Sequence, residues 1–197
     1  GIAPVDSAGV APAVTDAMSS GIPIIAIDTG VSGAEVTSFV ATDNYAVAKV
    51  QGAVAATLVN DGDTVIYVTG NQAQSTGQER RNGFMEAFSA ARPGSKILEV
   101  PTEWNSQQAQ EGVEAVLNSN SDVKMVVNAW DGGTMGAKAA LENLGYGAGD
   151  VKLVGFADYP TLGPTHSELD AKKLSSLLKN TKNHMLITEG STVSTQT

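Results

Sequence analysis

Short β-branched runs alternate with alanine-rich stretches of helical periodicity along most of this chain, and that alternation restricts the fold more than any other feature. Ile22–Ile27 (IPIIAI) is a continuous apolar run, the pattern of a strand buried on both faces. Ser38–Ala41 is a weaker strand; Thr64–Val68 (TVIYV), Lys96–Val100, Val123–Asn128 and Val151–Phe156 follow it. Helices are predicted between them. Ser7–Ser20 carries Val10, Val14, Ala17 and Met18 on one face and stops at Gly21. Asn44–Val59 places Val47, Val50, Val54 and Leu58 at helical spacing and ends in Asn60-Asp61-Gly62-Asp63. Thr76-Gly77-Gln78-Glu79 fits a capping box for a helix that buries Phe84 and Phe88 and ends at Pro93-Gly94. Ser106–Leu117 and Thr134–Leu144, with Gly145 behind it, complete the set. Strand–helix units recurring at roughly 30-residue intervals imply right-handed βαβ crossovers. The fold class is α/β: a Rossmann-like parallel sheet flanked by helices.

Both ends depart from the pattern. Gly1-Ile2-Ala3-Pro4-Val5-Asp6-Ser7 reads as the end of a strand running into a helix cap, so a fragment or a missing beginning is expected. Beyond about Leu162, Ser167–Asn180 (SELDAKKLSSLLKN) can form an amphipathic helix capped by Ser167-x-x-Asp170, with Leu174, Leu177 and Leu178 inside. Ser191–Thr197 has the polarity of a frayed terminus.

Composition narrows the function. At 197 residues the chain suits one large domain or two small lobes. A net charge of −9 without a basic run offers no footprint for phosphate backbones, so nucleic acid is not an expected partner. The absence of cysteine excludes disulfides, thiolate metal sites and cysteine nucleophiles. No apolar run approaches the ~18 residues that span a bilayer.

In open α/β sheets ligands bind beyond the carboxyl ends of the strands. Those positions are Asp28-Thr29, Gly70-Asn71, Glu103-Trp104, Trp130-Asp131 and Ala157-Asp158. Both tryptophans therefore fall on one rim beside carboxylates, in a chain only 5% aromatic. A flat ring beside carboxylates and amides holds a polyol, stacking on C–H faces while hydroxyls are hydrogen-bonded. The plainer alternative is that each tryptophan caps the core beneath a loop. Arg80 falls in the first turn of the predicted Thr76 helix and Arg81 follows it; an arginine there opposes the helix dipole unless it serves a partner, and otherwise either belongs to a solvated face.

Catalytic signals are weak. Gly30-Val31-Ser32-Gly33-Ala34 resembles a nucleophile elbow, with Asp158 and His166 or His184 later in the chain. The fifth position is alanine, however, and the chain continues toward another strand. Gly145-Tyr146-Gly147-Ala148-Gly149 follows a helix and lacks the context of a dinucleotide loop. There is no P-loop and no cluster with metal-ligand spacing, so no cofactor is expected.

At Pro4-Val5-Asp6-Ser7, Gly21-Ile22-Pro23-Ile24-Ile25 ending in Ile27-Asp28, Thr42-Asp43-Asn44, Glu79-Arg80-Arg81-Asn82-Gly83-Phe84 and Leu153-Val154-Gly155-Phe156, the chain resembles the ribose-binding type of periplasmic sugar receptor. These receptors serve ABC importers. The resemblance runs from about Ile2 to Gly163. It implies two Rossmann-like lobes of the type I periplasmic-binding fold closing on a monosaccharide, a membrane ABC permease as partner, and a periplasmic or extracellular location. By position, Asp28 matches the sugar-hydroxyl acceptor, Arg80 the cleft arginine and Trp104 a stacking aromatic. Trp130 stands where a ribose binder has asparagine, and Phe156 matches by motif. The next family position, usually aspartate, is Ala157, with Asp158 one step later. Trp130 and this shift point away from ribose, toward a different or larger ligand.

The implied organisation is a partial first lobe over residues 1–42, a nearly complete second lobe over 43–161, and a divergent tail over 162–197. A half-built cleft lacks about 1.5–3 kcal/mol for each missing charged hydrogen bond, so weak sugar binding is expected unless a second copy of the chain supplies the wall. Competing expectations are the effector domain of a LacI-type regulator, an enzyme using the Ser32 region, and a receptor relic.

Overall fold

A computed structural model describes residues 1–156 and the backbone of the two-residue strand β7 (Ser194–Thr195). β3 (Thr64–Val68) is buried at all five residues because it lies inside a sheet. Its parallel neighbours are β4 (Lys96–Val100) and β5 (Val123–Asn128), and β6 (Lys152–Val154) extends the far side of β5. The strand order is β4-β3-β5-β6.

The connecting helices are α2 (Asn44–Thr57), α3 (Ser75–Ala91), α4 (Ser106–Ser119) and α5 (Asp131–Asn143). Side chains cap two of them. Asp43 accepts the Ala46 amide at 2.9 Å, and Asn105 accepts those of Gln107 and Gln108 at 2.9 and 3.0 Å. Each such cap contributes about 1 kcal/mol. α2 packs against α3, and α4 against α5. The first contact is close because Gly52 and Gly83 leave no room for a side chain against Phe84 and Tyr45. α3 meets the sheet through Tyr67 of β3, which stacks on Phe84 at 4.3 Å; Phe84 in turn stacks on Phe88 at 5.2 Å. All three are fully buried. A Phe84→Ala change there would cost about 3–5 kcal/mol.

A second, smaller sheet precedes this one in sequence. β1 (Ile25–Ile27) pairs in parallel with β2 (Ser38–Ala41), Ile2 bridges to Ala26, and β7 lies antiparallel on β2. α1 (Ala11–Ser19) leads into β1, closing with the amides of Gly21 and Ile22 on the carbonyls of Met18 and Ala17.

The α/β class and the parallel order match the sequence reading, and β2, β3, β4 and β5 fall on the predicted residues. β6 keeps only Lys152–Val154 of the strand predicted over 151–156, and four further details differ. The apolar run at 22–27 forms only three strand residues; Ile25 and Ile27 are 44% and 50% exposed, and only Ala26 is buried. No described element covers that face, and hydrophobicity alone cannot tell a covered strand from a bare one. In α1 only Val14 is buried, and residues 7–10 form a turn in which Asp6 accepts the Ala8 and Gly9 amides. α5 begins at Asp131, not Thr134, since an acidic first residue complements the helix dipole and offsets the poor propensity of Gly132 and Gly133. The capping box at Thr76 does not form: α3 starts at Ser75, and the Thr76 hydroxyl is used elsewhere. Ser32 lies in the loop between β1 and β2, without the following helix that a nucleophile elbow requires. The amphipathic helix expected at Ser167–Asn180 lies outside the described residues.

Candidate functional site

The chain leaves β3 toward β4 on one side and later passes to β5 on the other, so the crossovers diverge between β3 and β5. Such a divergence opens a crevice beyond the strand ends. A cleft of about 240 Å³ lies there, lined by Asp28, Gln74, Thr76, Arg80, Trp104 and Trp130.

Arg80 is the positive centre of the cleft. It stands in the second turn of α3, so the dipole penalty expected for a first-turn arginine is avoided. Its Nε donates to Asn44 Oδ1 at 2.9 Å and its Nη1 to the Ala129 carbonyl at 2.7 Å. The guanidinium lies 4.1 Å from the centre of the Phe156 ring and 5.6 Å from that of Trp104. Burial pulls its pKa below the ordinary arginine value, while the charge of Asp28 and, more weakly, those of Tyr67, Asp131 and Glu79 pull it back. An arginine so placed remains charged. Two of its five N–H groups hold Asn44 and Ala129, which leaves the others to donate to a ligand.

The aromatic wall depends on two close approaches. Trp104 passes over Gly70, where a Cβ would overlap the indole, and Trp130 lies over Gly133, where a Cβ would come within 2.6 Å of the ring. Trp104 is half-buried, and Trp130 is only 8% exposed. Both alternatives from the sequence thus hold in part: Trp130 belongs to the core and lines the cleft as well.

Asp28 supplies the negative side. It follows β1, is exposed, and has φ 65; Trp104 has φ 58. These are the two non-glycine residues with left-handed backbone among those described, and both line the cleft. Aspartate tolerates that conformation, whereas tryptophan is strained in it by about 1–3 kcal/mol. The Asp28 backbone is pinned on both sides: its amide donates to the Val40 carbonyl at 2.9 Å, and its carbonyl accepts the Thr76 hydroxyl at 3.1 Å. Further bonds stitch the start of α3 to the first sheet. The Ser75 amide donates to Ser7 Oγ at 2.9 Å, and the Gly30 amide to Ser75 Oγ at 2.8 Å.

Four sequence-predicted residues, Asp28, Arg80, Trp104 and Trp130, therefore share one cleft, and Phe156 lies against Arg80. Asp158 lies outside the described residues. Gln74 and Thr76 also line the wall and Asn44 orients Arg80, none of which the sequence pattern singles out for the site. The rule that places ligands after strands covers Gln74, which sits on the loop between β3 and α3. Nothing local marks Asn44, because its contact spans two helices.

Residues 1–161 match the family described as a periplasmic binding protein domain. The chain is 31% identical over 159 residues to the ribose import binding protein of Escherichia coli, covering 81% of this chain and 53% of that one. It is 30% identical over 170 residues to the D-ribose/D-allose-binding protein of Pseudomonas aeruginosa, covering 83% and 52%. The chain thus spans about half the length of the curated relatives it matches. Among solved structures it is similar to the Caulobacter myo-inositol binding protein bound to myo-inositol, with TM-score 0.76, 26% identity and coverage of 80% and 55%. It is also similar to a periplasmic solute binding protein of Actinobacillus succinogenes with bound D-allose, with TM-score 0.68, 28% identity and coverage of 80% and 58%.

Proposed function

The chain belongs to the periplasmic binding protein family, and from that membership we propose that it is a carbohydrate-binding receptor of an ABC-type sugar importer. Its ligand is a monosaccharide held between two lobes, residues 1–42 and 43–161. The division of the strands into two sheets, with β2 in the first and β3 in the second, supports that boundary. A membrane permease is the partner and the periplasm the location. The net charge of −9 favours this reading over a DNA-binding regulator. It assigns no reaction step to the cleft.

One observation carries the reading: Asp28, Arg80 and two indoles line the same cleft. Asp28 accepts from ligand hydroxyls, Arg80 donates to hydroxyl or ring oxygens, and an indole face covers the C–H side of the ring. Hydrogen bonds to charged groups contribute about 1.5–3 kcal/mol each. Calorimetric titration with a panel of pentoses, hexoses and inositols tests it, with tryptophan fluorescence followed in parallel. Saturable heat with a fluorescence change is the expected result. Absence of both across the panel overturns the reading.

A further inference from the structure

Gln74 precedes the first residue of α3 and has extended backbone, φ −97 and ψ 139. Its side chain reaches two groups far apart in the sequence. The amide oxygen accepts the indole N–H of Trp104, and the amide nitrogen donates to the Pro4 carbonyl at 3.0 Å. An indole N–H can only donate and a backbone carbonyl can only accept. The group between them must accept at one end and donate at the other, which a carboxamide does. Turning the amide over would set donor against donor and acceptor against acceptor, so chemistry dictates its orientation.

We infer that Gln74 is the positioning residue of the cleft, holding the Trp104 indole in place while tying the Pro4 segment to the base of α3. Three features support it. Trp104 keeps a left-handed backbone (φ 58) that a bulky residue does not adopt without support. Gly70 leaves the indole free to approach but cannot orient it. The Ser7 amide donates to the Ala73 carbonyl at 2.9 Å, so Gln74 extends an existing seam between the two sheets into the aromatic wall. A ligand stacked on Trp104 and the closure of that seam then depend on one side chain, and each favours the other. The affinity consequence rests on the receptor reading above; the orientation of Trp104 does not.

Two substitutions separate the two bonds. Gln74→Glu keeps an acceptor for the indole but places a carboxylate against the Pro4 carbonyl. Gln74→Met has similar length and removes both bonds. The readouts are the near-ultraviolet circular dichroism of the ligand-free protein, read at the long-wavelength edge where the two tryptophans alone absorb, and sugar affinity by calorimetry. Gln74→Met is expected to alter the tryptophan signal and weaken binding about 10-fold or more, and Gln74→Glu to keep the signal and weaken binding about 3-fold to 10-fold. An unchanged signal in Gln74→Met, or unchanged affinity in both variants, overturns the inference. Should Gln74→Met fail to fold, Gln74→Glu decides alone: an altered tryptophan signal overturns it, and a retained signal with weakened binding supports it. If the unsubstituted protein binds no sugar, the receptor reading fails while the near-ultraviolet comparison still decides the role of Gln74.

Discussion

Trp104 and Trp130 meet edge to face, with ring centres 5.4 Å apart and planes at 89°. In this geometry the positive edge of one ring meets the negative face of the other, a contact worth about 0.5–1.5 kcal/mol beyond burial. The pair forms a corner and not a parallel slot. Replacing Trp104 with alanine removes a stacking surface and the support of Trp130 together, so sugar affinity is expected to fall about 10-fold or more. Calorimetry of Trp104→Ala against the unsubstituted chain measures this; an unaltered Kd would place the ligand elsewhere.

Gly70 offers a smaller perturbation of the same wall. A methyl group there overlaps the Trp104 ring, which has to leave its position. Overpacking of this kind costs about 1–3 kcal/mol. Gly70→Ala is therefore expected to lose affinity while retaining secondary structure, as followed by far-ultraviolet circular dichroism and titration.

Arg80 holds Asn44 and Ala129 with one planar fork. A lysine ammonium cannot reproduce that fork. Arg80→Lys leaves one of two buried acceptors without its partner, at a cost of roughly 1–3 kcal/mol in unfolding free energy, and weakens sugar binding as well. Urea unfolding with a parallel titration checks both effects. Equal stability of variant and parent would show that the fork is dispensable.

Glu79 makes stability depend on pH. Burial raises its carboxyl pKa, with a further push from Asp43, while the Asn44 hydrogen bond and Arg80 act in the opposite sense. The folded pKa thus lies above the unfolded one, so the protonated form favours folding. Its contribution is complete below the unfolded value of about 4.3 and is lost as pH rises through the folded one. Glu79→Gln is expected to raise the Tm at neutral pH, with the gain vanishing near pH ~4. A constant difference across the range would assign the effect to something other than titration.

Strands and helices of the larger sheet were legible because each carries its own pattern: TVIYV is rich in β-branched residues and, lying between two neighbours, is buried throughout. That no described residue covers the face of β1 was not legible, because Ile25 and Ile27 look the same in sequence whether covered or exposed. The rim rule found Asp28, Trp104 and Trp130 from strand ends alone. Arg80 was assigned to the cleft only by resemblance, since its orientation comes from Asn44, 36 residues away in sequence. Thr76 was misread for the same reason: its hydroxyl meets Asp28 across 48 residues and not the helix beside it.

The bonds that join the first sheet and the segment before it to the start of α3 span 45, 47, 48, 68 and 70 residues. They tie together two sheets that share no strand pairing, so the cleft wall is held by a seam of individual hydrogen bonds and not by a continuous ladder. Loosening that seam is therefore expected to disturb the cleft while the β4-β3-β5-β6 sheet stays paired.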